Sequence, residues 1–270
     1  VTTNWLRILV GRPSARANLF CFTHAGGTVA AFRSWPGGLP SQLQVWAAQL
    51  PGRADRLREP PIGDMPALVA ALVDALAPHL DRPYAIFGHS MGAILAYEVV
   101  CTLTKQGAPL PEHLIVSGRR AAHIASYEPD LHRLPDEAFI AEINRRYGGI
   151  PRQLLHDREV MALLLPALRA DIAALETHCP ARREPLSLPI TVFGGVDDRL
   201  APRAHLEAWR DLTAGPCRVR TFPGGHFYLD QPHTRAALLD DLSVTLAPML
   251  LRARGADVLP FPGDAWEACA

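Results

Sequence analysis

Short apolar runs alternate along this chain with longer segments in which apolar residues return every three or four positions. Strand-length runs at 18–23, 44–50, 84–87, 113–117, 190–193 and 218–222 predict six strands, the purest being Tyr84-Ala85-Ile86-Phe87. Helical spacing predicts helices over 67–80, 91–105, 203–212 and 234–251. Asp64 and Pro66 mark the start of the first, as cap and first-turn proline. Mostly apolar strands separated by helices specify an α/β fold, with a largely parallel central sheet covered on both faces. Reactive side chains in such sheets gather beyond the carboxyl ends of the strands.

One stretch breaks the alternation. Between about 121 and 185 no strand is predicted. Helical patterns occupy 136–146 and 157–177, interrupted by Gly148-Gly149 and by Pro166. An insertion of this length in an α/β fold is expected to be a lid; a helical elaboration packed on the sheet edge is the plainer alternative. Its apolar face at Met161, Leu164, Leu165 and Leu168 is expected to lie over the reactive centre, or else to fill the insertion's own core. The tail at 255–270, with Pro260, Pro262 and Gly263, is expected to be loosely structured.

Composition narrows the class without naming a reaction. The 270 residues, 49% hydrophobic, suit one large domain with a full core, or at most two small ones. Lys+Arg and Asp+Glu are 27 each, so no net field favours nucleic acid or an anionic membrane. No apolar run approaches the roughly 18–20 residues that span a bilayer. Val1-Thr2-Thr3-Asn4-Trp5-Leu6-Arg7 shows no leader-like start, and a cytoplasmic protein is expected. The five cysteines, Cys21, Cys101, Cys179, Cys217 and Cys269, are scattered without a C-x-x-C. Neither a disulfide framework nor a metal site is expected from them.

The chemistry concentrates at Gly88-His89-Ser90-Met91-Gly92, a G-x-S-x-G set between a predicted strand and a predicted helix. That context makes a nucleophile elbow, in which Ser90 stands exposed at a sharp turn and the flanking glycines avoid a collision of Cβ atoms. A serine hydroxyl needs a base, and the chain order of such sites is serine, acid, histidine. Among eleven histidines, His226 has the order, the Gly-rich loop and the place after a late strand; His24, His89 and His178 lack that combination. The acid belongs in Gly194-Gly195-Val196-Asp197-Asp198, where Asp198 is preferred and Asp197 is expected to act as a loop or cap acceptor. Two backbone donors are needed for an oxyanion. The N–H of Met91 is one; the other is the N–H of His24 or of Ala25, in the loop His24-Ala25-Gly26-Gly27.

These residues carry a resemblance. Phe22-Thr23-His24-Ala25-Gly26-Gly27, Gln49-Leu50-Pro51-Gly52-Arg53 and the elbow occur with Leu134-Pro135-Asp136-Glu137-Ala138-Phe139, Tyr147-Gly148-Gly149-Ile150-Pro151 and Leu168-Arg169-Ala170-Asp171. Together with Gly194-Gly195, Asp198 and Pro223-Gly224-Gly225-His226-Phe227, this set resembles the type II thioesterases, α/β-hydrolases that edit polyketide and non-ribosomal peptide assembly lines. The chain departs from the usual pattern at Thr23, Ala54, His178 and Arg199, and its last twenty or so residues lie outside the resemblance. The resemblance implies a Ser90–His226–Asp198 triad, and acyl substrates held as thioesters on the phosphopantetheine arm of acyl or peptidyl carrier domains. It implies no bound cofactor and no metal, and a monomer is expected. Met161, Leu164, Leu165 and Leu168 would then wall an acyl pocket. An esterase or lipase, an acyl transferase, or a binding protein with a retired site would share the elbow; the first has no reason to carry the P-G-R and L-R-A-D motifs.

Overall fold

A computed structural model of the chain describes residues 4–124, 130–149, 157–180 and 183–255. Seven strands form one sheet: β1 (Leu6–Ile8), β2 (Ala17–Phe22), β3 (Leu43–Ala48), β4 (Tyr84–His89), β5 (His113–Ser117), β6 (Ile190–Gly195) and β7 (Cys217–Phe222). Their order is β1-β3-β2-β4-β5-β6-β7. β1 runs antiparallel to β3 and every other pairing is parallel. β1 is the strand the apolar runs did not predict; three residues are too few to show a period.

Strand side chains feed two cores by simple alternation. Phe20, Phe22, Tyr84, Ile86, Leu114 and Val116 pack into one. Leu19, Cys21, Ala85, Phe87 and Ile115 pack into the other, around Trp35. Burial on both faces explains why the central strands show no polar alternation.

The first core is covered by α1 (Met65–Leu76) and α2 (Met91–Gln106). Asp64 caps α1 by accepting from the Ala67 N–H at 2.9 Å. The helix ends four residues before the predicted boundary, where Ala77–His79, containing Pro78, tightens into a 3₁₀ turn. α2 ends at Gly107, in the left-handed region.

Between β5 and β6 lie α3 (Asp136–Tyr147) and α4 (Arg158–Thr177). Asp157 caps α4 through the Glu159 and Val160 N–H groups. Pro166 was expected to interrupt this segment, but α4 runs through it. The proline costs one backbone hydrogen bond. The buried side chains on either side of it, Met161, Leu165 and Ile172, hold the helix against Leu131, Phe139 and Ile143 in a third, small core.

The predicted helix at 203–212 is two pieces, α5 (Arg203–Glu207) and a 3₁₀ turn over Ala208–Leu212. The last helix, α6 (Pro232–Gly255), starts two residues earlier and ends four residues later than its apolar spacing suggested. The tail from residue 256, with Cys269, and Ile150-Pro151 of the insertion lie outside the described residues. Among the described residues no helix is long and apolar enough to cross a membrane.

Candidate active site

The elbow at the end of β4 sets the geometry. Ser90 has φ 56° and ψ −114°, a conformation that a non-glycine residue holds only under constraint. The constraint is packing. A Cβ on Gly88 would lie 2.0 Å from the Gly92 carbonyl oxygen, and one on Gly92 would lie 2.1 Å from the Phe22 carbonyl oxygen. Both positions are closed to any larger residue. The Ser90 N–H donates to the Ser117 carbonyl at 2.8 Å, which ties the turn to β5.

Two further loops converge on Ser90. After β7, the Gly-rich loop delivers His226, whose Nε2 lies 2.9 Å from Ser90 Oγ. After β6, the next loop delivers Asp198, whose Oδ2 lies 2.9 Å from His226 Nδ1. The loops are stitched together by backbone bonds from Val196 to Phe222 and from Asp197 to Gly224. Ser90, expected to stand exposed, is only 4% exposed, and Asp198 and His226 are 4% and 8% exposed, because the converging loops cover the turn; the hydrogen-bonded series is buried.

Asp197 is exposed and outside this series. Asp197 was expected to be the loop acceptor, yet Asp198 fills that place too: its Oδ1 accepts from the Leu200 N–H at 3.0 Å. The tight turn at Gly195–Asp198, closed by an Asp198 N–H to Gly195 carbonyl bond, turns the second aspartate inward and the first outward.

Met91 is the first residue of α2, so its N–H has no acceptor within the helix. His24 and Ala25 both border the cavity beside Ser90. The imidazole of His24 is pushed down to about 4, first by burial and then by repulsion from His226 and Arg53. Burial, with His226 and His24 nearby, also pushes His89 well down. Two neutral imidazoles therefore flank His226 near neutral pH. His89 Nδ1 lies 2.8 Å from Ser117 Oγ, which in turn bonds the Tyr228 hydroxyl at 2.7 Å. His178 stands apart from this cavity and lies 3.1 Å from Glu98.

Above Ser90 is a cavity of about 140 Å³. Met161, Leu164 and Leu168 of α4 form part of its wall, joined by Ile172 and Leu175 one and two turns on. The fourth expected wall residue, Leu165, is absent from the wall; it is buried in the third core with Phe139. Successive helix residues point about 100° apart. When Leu164 faces the cavity, Leu165 must therefore turn toward α3. Ile143 and Tyr147 of α3 and Phe227 complete the apolar lining. None of the three was expected in the wall, although Tyr147 and Phe227 stand in two of the quoted motifs and Ile143 and Tyr147 share a face by their spacing of four. The ring of Tyr147 lies 5.5 Å from that of His226.

A second cluster was also missed. Arg53 of the P-G-R motif meets Asp171 of the L-R-A-D motif in a two-point pair, 2.6 and 2.7 Å, with 3% and 0% of their side chains exposed. Asp171 Oδ2 also accepts from the Gly26 N–H at 2.7 Å. The two motifs were visible; that they meet at the loop preceding Gly27 was not. Among the described residues no group of three or more His, Cys, Asp or Glu side chains could hold a metal ion.

The arrangement can deprotonate a serine hydroxyl, direct it at a carbonyl carbon seated in an apolar cavity, and offer backbone N–H groups to the developing oxyanion. The chain as a whole is similar to known proteins. The family profile "Thioesterase domain" matches residues 17–244. The gramicidin S biosynthesis protein GrsT of Aneurinibacillus migulanus is 39% identical over 216 residues, 80% of this chain and 84% of GrsT. Thioesterase PikA5 of Streptomyces venezuelae is 39% identical over 233 residues, 85% of this chain and 82% of PikA5. The solved structure of RedJ, a thioesterase of the prodiginine pathway in Streptomyces coelicolor, superimposes with a TM-score of 0.80 at 43% identity, covering 87% of each chain.

Proposed function

Because this chain belongs to the thioesterase family, we propose that it is a type II editing thioesterase that hydrolyses acyl groups from the phosphopantetheine arm of acyl or peptidyl carrier domains. A relative named for gramicidin S biosynthesis, and a 29% identical solved structure titled as a type II thioesterase of the yersiniabactin NRPS/PKS pathway, support that substrate class. The observation that carries the reading is the buried Ser90–His226–Asp198 series opening into an apolar cavity.

In this mechanism His226 Nε2 accepts the Ser90 proton as Oγ attacks the thioester carbonyl. Asp198 keeps the other ring nitrogen protonated and stabilises the imidazolium. The N–H of Met91 and an N–H from the His24–Ala25 pair hold the oxyanion, whose charge develops beside the buried Ser90 and His226. The tetrahedral intermediate collapses, the C–S bond breaks, and the arm leaves as a thiol after taking the proton from His226. Water then attacks the acyl-serine. His226 takes the water's proton and returns it to Ser90 Oγ as the carboxylic acid departs. Every step is acid–base and acyl chemistry of these side chains, so the reading requires no metal or cofactor. Apolar walls from α3 and α4 hold the acyl chain, and the insertion acts as its lid. A monomer in the cytoplasm belongs to the same reading.

The test is hydrolysis of matched acyl-carrier thioesters, acyl-N-acetylcysteamine thioesters and oxygen esters, with wild type and Ser90→Ala. Thioesters should be preferred. The alanine variant should lose about 10⁴–10⁶ in turnover and its labelling by a fluorophosphonate. A folded Ser90→Ala protein that keeps a tenth of its activity, or a preference for oxygen esters, would remove the reading.

A further inference from the structure

The buried Arg53–Asp171 pair has no obvious purpose as a source of stability. Pairs of this kind are often matched or exceeded by apolar replacements, because removing two charges from water offsets their attraction. What the pair does supply is fixed geometry. Asp171 lies on α4, one turn beyond the cavity residue Leu168 and adjacent to the cavity residue Ile172. Its carboxylate reaches the Gly26 N–H, 145 positions away in sequence, at 2.7 Å. Arg53 grips both oxygens and also donates to the Gly27 carbonyl, at 3.4 Å. Leu168 closes over the same glycine: a methyl on Gly26 would lie 3.1 Å from Leu168 Cδ1. Gly26 has φ +75° and follows directly on His24 and Ala25.

We propose that Asp171 is a positioning residue: by holding the Gly26 N–H it fixes the His24–Ala25 amides over Ser90, and so couples the acyl-facing helix α4 to the oxyanion loop. This rests on the thioesterase reading above. A charge-assisted bond is shorter and stiffer than a neutral one, which suits a carboxylate to this task. The coupling makes the position of α4 a condition of catalysis. An acyl chain that leaves Leu168 and Ile172 in place leaves the loop aligned. One that wedges α4 outward drags Gly26 through Asp171 and misaligns the donors after binding has occurred. Discrimination between acyl chains therefore falls on kcat more than on KM.

The experiment measures kcat and KM of wild type, Asp171→Asn and Ser90→Ala on a series of acyl-N-acetylcysteamine thioesters, together with the Gly26 amide signal in ¹H–¹⁵N spectra. In Asp171→Asn one oxygen is replaced by an NH₂ that opposes the Arg53 donors. We expect kcat to fall roughly 10–100-fold, short of the 10²–10³ lost with a whole oxyanion donor, because displacements of about 1 Å cost that much. KM should stay within about threefold, the Gly26 amide proton should move upfield, and the dependence of kcat on chain length should flatten. A folded Asp171→Asn protein with wild-type kcat, or with the loss confined to KM, overturns the proposal. Should that variant fail to fold, Arg53→Lys, which keeps the charge but not the two-point grip, decides by the same split: lower kcat at steady KM supports it, and full activity overturns it. Activity surviving in Ser90→Ala overturns the thioesterase reading instead, whereas an inactive Ser90→Ala beside a fully active Asp171→Asn defeats this proposal alone.

Discussion

Replacing Asp198 by asparagine isolates one proton. The Asp198 carboxylate has two partners with opposed demands on its substitute. Oδ1 accepts from the Leu200 N–H at 3.0 Å and Oδ2 faces His226 Nδ1 at 2.9 Å. An asparagine in this buried slot must keep its oxygen toward Leu200, since an NH₂ there would oppose the backbone donor. Its NH₂ then faces His226 and makes Nδ1 an acceptor. The ring proton moves to Nε2, which points that N–H at Ser90 Oγ and can no longer take the serine's proton. A wrong tautomer of this kind costs a serine triad about 10⁴ in kcat, or roughly 5.4 kcal/mol at about 1.36 kcal/mol per tenfold. Asp197→Asn, at an exposed side chain outside the series, should change kcat by less than about threefold. The assay is steady-state thiol release from one acyl thioester, with circular dichroism to verify folding of both variants. Should Asp198→Asn retain a tenth of wild-type kcat, or Asp197→Asn prove the more damaging, the tautomer argument fails.

Leu168→Ala should enlarge the cavity and shift the preferred acyl chain longer, with each methylene newly accommodated worth about 0.8 kcal/mol, or roughly fourfold in kcat/KM. Leu165→Ala, one helix position from Leu164 but buried against Phe139, should instead cost about 2–5 kcal/mol of stability in urea titrations and leave the chain-length profile unchanged; a shifted profile in that variant would put the pocket wall elsewhere. For pH, His24 binds its proton at about 4 when folded and near 6.5 when unfolded. Between those values the unfolded chain binds more protons, so stability contributed by this group is full above pH 6.5 and is lost as pH falls toward 4. His24→Gln should flatten the stability loss between pH 6.5 and 4.5, and an unaltered slope would place the acid sensitivity at other groups.

The α/β class, the elbow and the Ser90–acid–His226 order were legible in sequence because each is written in neighbouring residues. Apolar runs mark strands buried on both faces, Asp64 caps the helix that follows it, and Gly88 and Gly92 flank a turn that admits no Cβ. Contacts between distant segments leave no such trace. β1 is too short to show a period and exists because β3 offers it an edge. The predicted helix at 203–212 breaks at Glu207 without a glycine or proline to announce it. Leu164 and Leu165 are equally apolar, and only the docking of α3 makes one a cavity wall and the other core. The inward turn of Asp198 depends on how the loop after β6 is stitched to the loop after β7. Arg53 and Asp171 stand 118 positions apart, each in a recognisable motif, but neither motif states that the other is its partner. Local sequence encodes backbone preference and periodicity, which act over a few residues; the partner of a buried charge is set by which elements the whole sheet and its insertion bring face to face.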